Sequence, residues 1–185
     1  MALRKGSAYS KRYARPYTRV SKKRTKSYIK TVPNARIVKY KMGDIQGFDK
    51  GEFPVELHIT SKENCQIRDN SIEAIRQYLN RFLQLKVGKD FYLEVKVVPH
   101  HILRENKMLT DAGADRMQTG MSRAFGKTMG RAALVKPNQT LYIIGVKDAK
   151  AEIEARKLIK SIKARIACKT STINVLPRVH QDHVV

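Results

Sequence analysis

Negative charge is scarce in this sequence. Only 16 Asp and Glu face 38 Lys and Arg, which gives a formal net charge of +22 over 185 residues, and the first acid is Asp44. An ordinary enzyme gains nothing from such an imbalance, because self-repulsion destabilises the compact state. A polyanionic partner neutralises it, because the release of counterions from phosphates drives association. Nucleic acid and an acidic membrane are the two candidate polyanions.

Long apolar runs are absent as well. No stretch approaches the roughly 18 residues of a spanning helix, and no signal peptide opens the chain. We therefore expect no membrane partner and a cytoplasmic location. Two cysteines, Cys65 and Cys168, stand far apart in the sequence, which indicates a reducing compartment and two buried thiols rather than a disulfide framework.

Catalytic and metal-binding patterns are also missing. No pair of cysteines has zinc-finger spacing, and no Ser, His and Asp grouping has a local signature. Gly126-Lys127-Thr128 resembles the end of a phosphate-binding loop, but the position five residues before its glycine is Met121, and a strand is predicted after it where the motif needs a helix. We expect no enzyme, no metal and no cofactor.

The first 31 residues form a basic arm. They carry eleven cations and no acid, with Tyr9, Tyr13, Tyr17 and Tyr28 interleaved. Such a segment buries too little apolar area to fold alone, but its cations can bind RNA phosphates while tyrosines stack on bases. The alternative is a solvated tail that aids solubility. The predicted RNA contacts are Arg4, Lys5, Lys11, Arg12, Arg15, Tyr17, Arg19, Lys22, Lys23, Arg24, Lys26 and Lys30.

A second unusual stretch runs from His100 to Arg131. It lies between two predicted strands and is rich in glycine, methionine and cations. A loop this long in a compact domain is usually functional or disordered, and its glycines permit close backbone approach to another surface. We predict that it enters folded RNA. The predicted contacts are His100, His101, Arg104, Lys107, Arg116, Gln118, Arg123, Lys127 and Arg131.

The remaining pattern predicts one α+β domain over residues 32–176, followed by a tail at 177–185. Apolar spacing predicts helices over 70–87 and 149–167, the first with Asn70 as its cap and the second with a buried stripe that includes Ile153. Strands are predicted at 35–40, 55–61, 91–98, 132–135, 140–146 and 172–176, with 132–135 and 140–146 paired as a hairpin. We expect both helices to pack on one face of a largely antiparallel sheet.

The long loop also carries a resemblance to a known family. Ala114-Asp115-Arg116-Met117-Gln118-Thr119-Gly120-Met121 and Ala124-Phe125-Gly126-Lys127 resemble the signature of the archaeal and eukaryotic ribosomal protein family "L-ten-e", the counterpart of bacterial large-subunit protein sixteen. The segment from His100 to Leu109 and Arg15-Pro16-Tyr17 resemble other parts of that family. Ser122 and Thr128 depart from it, where Arg and Pro are common.

This resemblance implies a structural protein of the large ribosomal subunit. It implies binding to large-subunit ribosomal RNA near the aminoacyl-tRNA site and the peptidyl transferase centre, with residues 104–127 as the tip region that approaches tRNA. Neighbouring ribosomal proteins would be further partners, and homo-oligomerisation is not expected. The short C-terminus is more similar to the archaeal form. A free-standing RNA chaperone or translational regulator is the alternative function.

Overall fold

Two antiparallel sheets organise the chain in a computed structural model, which describes residues 6–11, 32–105 and 127–175. Five strands pair in the order β1-β4-β7-β2-β8, and three pair in the order β3-β6-β5. The strands are β1 Lys41–Gly43, β2 Val55–Ser61, β3 Cys65–Arg68, β4 Phe91–Val95, β5 His101–Glu105, β6 Lys127–Val135, β7 Thr140–Val146 and β8 Thr170–Val175. The helices are α1 Ile45–Asp49, α2 Asp69–Lys86 and α3 Ala149–Ile162, and a 3-10 turn at Lys163–Arg165 follows α3.

Helices α2 and α3 cover the inner face of the five-stranded sheet. The predicted apolar stripe of α2 is confirmed, since Ile72, Ile75, Leu79 and Leu83 are all buried. The hydroxyl of Tyr142 on β7 donates to the carbonyl of Ile72 over 3.1 Å. This buried hydrogen bond fixes the helix against the sheet.

The stripe of α3 differs from its prediction at one residue. Leu158, Ile159 and Ile162 are buried, whereas Ile153 is 57% exposed. At 3.6 residues per turn, Ile153 lies roughly 200° around the helix axis from Ala151, which is buried. Small alanines, rather than the larger isoleucine, therefore face the core in the first turns of this helix.

The start of α2 also differs from prediction. The helix begins at Asp69, and Arg68 is the residue in the cap position, without a side-chain capping bond. The Asp69 carboxylate accepts a hydrogen bond from the backbone N–H of Asn70 over 2.8 Å. A negative side chain in the first turn is favoured by the helix dipole, so Asp69 stabilises the start of α2 without acting as its cap, and the predicted cap at Asn70 was wrong.

Two predicted strand arrangements were wrong. Residues 35–40 have no regular structure; Ile37 is buried but Val38 is 74% exposed, so the alternation holds for only part of the segment. The predicted hairpin does not form either, because β6 and β7 belong to different sheets. The connection between them packs on the end of β2 instead, where Ser61 bonds the backbones of Asn138 and Gln139.

The predicted fold class is confirmed: α+β, with helices packed on antiparallel strands. The second, three-stranded sheet was not anticipated. Cys65 and Cys168 are both buried and free, as expected. No helix in the part of the chain that the structure describes is long and apolar enough to cross a membrane.

Candidate nucleic-acid interface

The three-stranded sheet holds both ends of the long predicted loop. The sequence placed residues 101–105 and 127–131 inside the loop. In the structure they belong to two antiparallel strands, which pair from His101 opposite Ala132 to Glu105 opposite Lys127. The intervening residues, 106–126, lie outside the described residues. The segment predicted as a loop is therefore strand at its two ends, where a ladder anchors it to the body of the protein.

The ladder contains an irregularity at the predicted site. Its register shifts between Leu103 and Arg104, so that Leu103 faces Gly130 while Arg104 faces Thr128. An extra residue in one strand re-aims the side chains that follow it. Gly130 lies in strand β6 without a positive φ, and a Cβ there would meet only an ordinary contact at 3.8 Å from Asp69. Neither backbone conformation nor space therefore requires glycine at this position.

The cations at the free end of this ladder differ in exposure. Arg104 is half-buried, and this burial lowers the pKa of its guanidinium. Lys127 is exposed and lies directly across from Glu105, a placement in which opposite charges stabilise strand pairs. Both side chains flank the point where the chain enters and leaves residues 106–126.

The two adjacent histidines have opposite environments. His100 is exposed, whereas His101 is fully buried, as expected for neighbours in an extended segment. Burial, together with the nearby His100 and Arg104, lowers the pKa of His101, so its ring is neutral near pH 7. The predicted contact between His101 and RNA is not supported, because an enclosed ring cannot reach a ligand at the surface. We leave it out of the interface.

Arg131 joins the base of the loop to the end of the arm. Its Nε donates to the carbonyl oxygen of Pro33 over 2.6 Å. Its charge also acts on Tyr40, whose pKa is raised by burial and partly lowered again by Arg131. Arg131 is half-buried, and its side chain ties β6 to the backbone that follows the arm.

The first part of the arm contacts the same small sheet. Gln66 on β3 donates through Nε2 to the carbonyl of Tyr9 over 2.9 Å, and its backbone N–H donates to Ser10 over 2.9 Å. Tyr9 has a positive φ of 65°. Lys11, which follows Ser10, is exposed. Gln66 was missed as an anchoring residue, although the alternation of polar and apolar residues over 65–68 is typical of a strand.

The structure therefore brings together Lys11, His100, Arg104, Lys127 and Arg131 on or beside segments attached to the three-stranded sheet. Most other predicted contacts lie outside the described residues. These are Arg4, Lys5, Arg12, Arg15, Tyr17, Arg19, Lys22, Lys23, Arg24, Lys26, Lys30, Lys107, Arg116, Gln118 and Arg123. Within residues 6–11, 32–105 and 127–175 there is no cluster of side chains suited to a metal ion.

Comparisons with known proteins identify the family of this chain. Residues 15–173 match the model of the family described as ribosomal protein L16p/L10e. Large ribosomal subunit protein uL16 of Thermofilum pendens is 41% identical over 167 residues, which is 90% of this chain and 93% of the relative. Its namesake from Methanococcus maripaludis strain C7 is 40% identical over 171 residues, covering 91% and 93%.

A third archaeal relative covers slightly more of the chain. Large ribosomal subunit protein uL16 of Archaeoglobus fulgidus is 38% identical over 179 residues, which is 96% of this chain and 95% of the relative. The family resemblance read from the loop motif is confirmed by these matches. The chain belongs to the ribosomal protein L16p/L10e family.

Proposed function

We propose that this chain is a structural component of the large ribosomal subunit and binds large-subunit ribosomal RNA in the cytoplasm. It supports translation near the aminoacyl-tRNA site and the peptidyl transferase centre, where residues 104–127 approach RNA and tRNA. It contributes no bond chemistry. Membership of the L16p/L10e family supports the general role, and the relatives above carry the name of a large-subunit protein.

The observation that carries the proposal is the shared attachment of the two basic segments. The long loop leaves and re-enters the β5–β6 ladder, and the arm contacts the same sheet through Tyr9, Ser10 and Pro33. A body that fixes the ends of two cationic segments limits the directions in which they can extend. Functional loops on rigid scaffolds are a general feature of binding proteins.

The charge of the chain supports RNA rather than another partner. Each Lys or Arg that neutralises a phosphate releases counterions, so affinity falls steeply with salt. We expect a fragment of large-subunit RNA to raise the melting temperature of the purified protein and to protect residues 1–31 from protease. The protein should sediment with large subunits in low salt and dissociate only in high salt.

A matched pair of variants sharpens this test. Lys127→Ala removes an exposed cation at the loop base, and Lys136→Ala removes an exposed cation in the turn between β6 and β7. If Lys127 contacts a phosphate, its variant should reduce the slope of log affinity against log salt by about 0.7 to 0.9, while the Lys136 variant leaves the slope unchanged. Equal slopes for both variants would count against a specific interface at the loop base.

Stoichiometry separates this proposal from the alternative of a free-standing RNA chaperone or regulator. A structural component should be present at one copy per large subunit, whereas a transient factor should be well below one. Protein that remained free at every salt concentration would contradict the ribosomal role.

A further inference from the structure

Two thiols meet in the core of the protein, where its two sheets adjoin. Cys65 is the first residue of β3, and Cys168 lies between the 3-10 turn and β8. Both side chains belong to the same cluster of buried residues, and both are free. The thiol of Cys65 donates a hydrogen bond to the sulfur of Cys168. Neither thiol is among the predicted RNA contacts.

Hydrogen bonds of the backbone hold the two cysteines in this position. The N–H of Lys62 donates to the carbonyl of Lys169 over 2.9 Å, and the N–H of Lys169 donates to the carboxylate of Glu63 over 2.8 Å. These bonds fix the turn that leads into Cys65 beside the residue that follows Cys168. A disulfide needs sulfur atoms about 2.05 Å apart, so the two sulfur atoms have only to move from hydrogen-bond contact to covalent contact.

The surroundings of Cys168 favour its thiolate. The hydroxyl of Ser61 donates to Sγ of Cys168 over 3.3 Å. The hydrogen bond from Cys65, opposed by burial and supported by Ser61, lowers the pKa of Cys168, whereas the same bond and burial raise the pKa of Cys65. The thiolate is the nucleophile in cysteine chemistry. Cys168 is therefore the attacking sulfur of the pair, and Cys65 is the thiol that keeps its proton.

Cys168 is also the easier of the two thiols to reach. It is 9% exposed, Cys65 is 3% exposed, and the neighbouring Lys169 lies at the surface. Strand β8, which follows, is the last strand of its sheet and pairs only with β2 among the described strands. Elements with few contacts open locally at a lower free energy than the core. Such an opening admits a small uncharged oxidant to the sulfur of Cys168.

We propose that Cys65 and Cys168 form a redox site, in which hydrogen peroxide oxidises the two thiols to a disulfide and a low-molecular-weight thiol reduces it again. The thiolate of Cys168 attacks one peroxide oxygen, the O–O bond breaks, and a sulfenic acid and hydroxide result. The sulfur of Cys65 then attacks the sulfenic sulfur. The S–S bond forms, the S–O bond breaks, and the hydroxyl leaves as water with the proton of Cys65.

The electrons and protons of this reaction balance. The two thiols lose two electrons in total, and the first hydroxide takes up the proton released by Cys168, so that peroxide is reduced to two waters. In the reverse direction, two molecules of the small thiol give up two electrons and leave as their own disulfide.

The disulfide would join the two sheets covalently. Strand β3 belongs to the three-stranded sheet, which holds the base of the long loop, and β8 belongs to the five-stranded sheet. The bond closes a loop of about 100 residues in the unfolded chain, and constraining a loop of that length stabilises the folded state. We therefore expect the oxidised protein to melt roughly 5–15 °C above the reduced protein.

Mass spectrometry of the purified full chain after treatment with peroxide tests the site. We expect the loss of two hydrogen atoms, a Cys65–Cys168 peptide in a non-reduced digest, and the return of both thiols with dithiothreitol. The same treatment in denaturant should slow bond formation by roughly tenfold or more, because the sulfur atoms are no longer held together. These comparisons use the unaltered chain. In Cys65→Ser, dimedone should trap a sulfenic acid on Cys168, and peroxide should not raise the melting temperature.

Four results would overturn the proposal. Both thiols could remain open to alkylation after peroxide treatment, which would show an inert pair. Each cysteine could be oxidised separately to a sulfinic acid. Disulfides could form only between two chains. The bond could form as fast in denaturant as in the folded protein, which would show that the structure does not promote it.

Discussion

The guanidinium of Arg131 donates a hydrogen bond from Nε to the carbonyl of Pro33 over 2.6 Å. Arg131 belongs to β6, the strand that follows the long loop, and Pro33 follows the basic arm. The two segments are 98 positions apart in the sequence, and this hydrogen bond makes them structural neighbours. The base of the loop and the end of the arm are therefore held together at this point.

Replacing Arg131 with alanine should loosen this junction. A charged hydrogen bond contributes about 1.5–3 kcal/mol when it is buried, and because Arg131 is half-buried we expect a loss of about 1 kcal/mol in unfolding free energy. Hydrogen exchange should increase for the amides of the β5–β6 ladder around Ile102 and Arg131, which face each other. The control Lys136→Ala alters an exposed cation with no such bond and should leave exchange unchanged. Unchanged exchange in the Arg131 variant would show that the bond does not hold the junction.

Gly43 offers a test of backbone strain in the five-stranded sheet. It has a φ of +86°, and a Cβ placed there would lie 2.1 Å from the carbonyl oxygen of Phe91 on the paired strand. Gly43→Ala should therefore lower the unfolding free energy by about 3 kcal/mol, through both strain and the clash.

Gly51 provides the matched control. It also has a positive φ, +77°, but a Cβ there would meet nothing within 4 Å. Gly51→Ala should cost only the conformational strain, about 1 kcal/mol. Chemical denaturation of the two variants measures both values. Equal losses would show that the contact with Phe91 relaxes without cost.

The sequence predicted the positions of single strands and helices better than it predicted which strands pair with each other. Strand 140–146 matches β7 in both bounds, because its apolar run ends at clear turn residues on either side. The pairing of that strand was wrong, because register and sheet membership depend on contacts distant in sequence. The bonds of Ser61 to Asn138 and Gln139, which direct the chain from one sheet to the other, leave no local signal.

In the candidate interface, too, the sequence predicted local properties and missed contacts between distant segments. Cation content identified the arm and the loop, since excess charge is a property of composition. The sequence indicated only that the rings of His100 and His101 point in opposite directions on a strand. Which of the two rings is buried depends on the pairing of β5 with β6, and it is His101. The Arg131–Pro33 bond had no signal in the sequence, because it joins two separate segments.

Glu73 and Arg76 should make stability depend on acid pH. Arg76 Nε donates to Glu73 over 2.8 Å, and both side chains are largely buried. This bond lowers the pKa of Glu73 below its ordinary range, against the opposing effect of burial. A carboxylate with a lowered folded-state pKa stabilises the protein above its unfolded pKa of about 4.3, and this stabilisation is lost as pH falls through the folded-state pKa.

The measurement compares wild type with Glu73→Gln across pH. Near pH 7 the variant should lose about 3 kcal/mol, because Arg76 is left buried without its charged partner. The difference should shrink as pH falls below about 4. Glu152→Gln removes a helical i,i+4 pair with Arg156, which is 43% exposed, and should cost no more than about 0.5 kcal/mol. A difference for Glu73→Gln that stays constant down to low pH would contradict the ion-pair explanation.

The proposed role of the loop predicts a hierarchy among cations. Arg104→Ala, Arg116→Ala and Arg123→Ala should each impair peptide synthesis by ribosomes more than Lys150→Ala or Lys157→Ala. Lys157 lies 2.6 Å from Glu154 within helix α3, so its charge is already partly used inside the protein. A lost contact between arginine and functional RNA costs about 1–3 kcal/mol, or roughly a 5-fold to 150-fold effect on the affected step.

Stability must be separated from function in this comparison. Arg104 is half-buried, so its alanine variant can reduce activity through unfolding alone. Arg104→Lys keeps the charge and serves as the matched control; its melting temperature and subunit occupancy should be measured beside those of Arg104→Ala. If the loop variants and the α3 variants slow peptide synthesis equally at full occupancy, then the loop is one more anchor on RNA, and its ladder serves attachment rather than the placement of cations at a functional site.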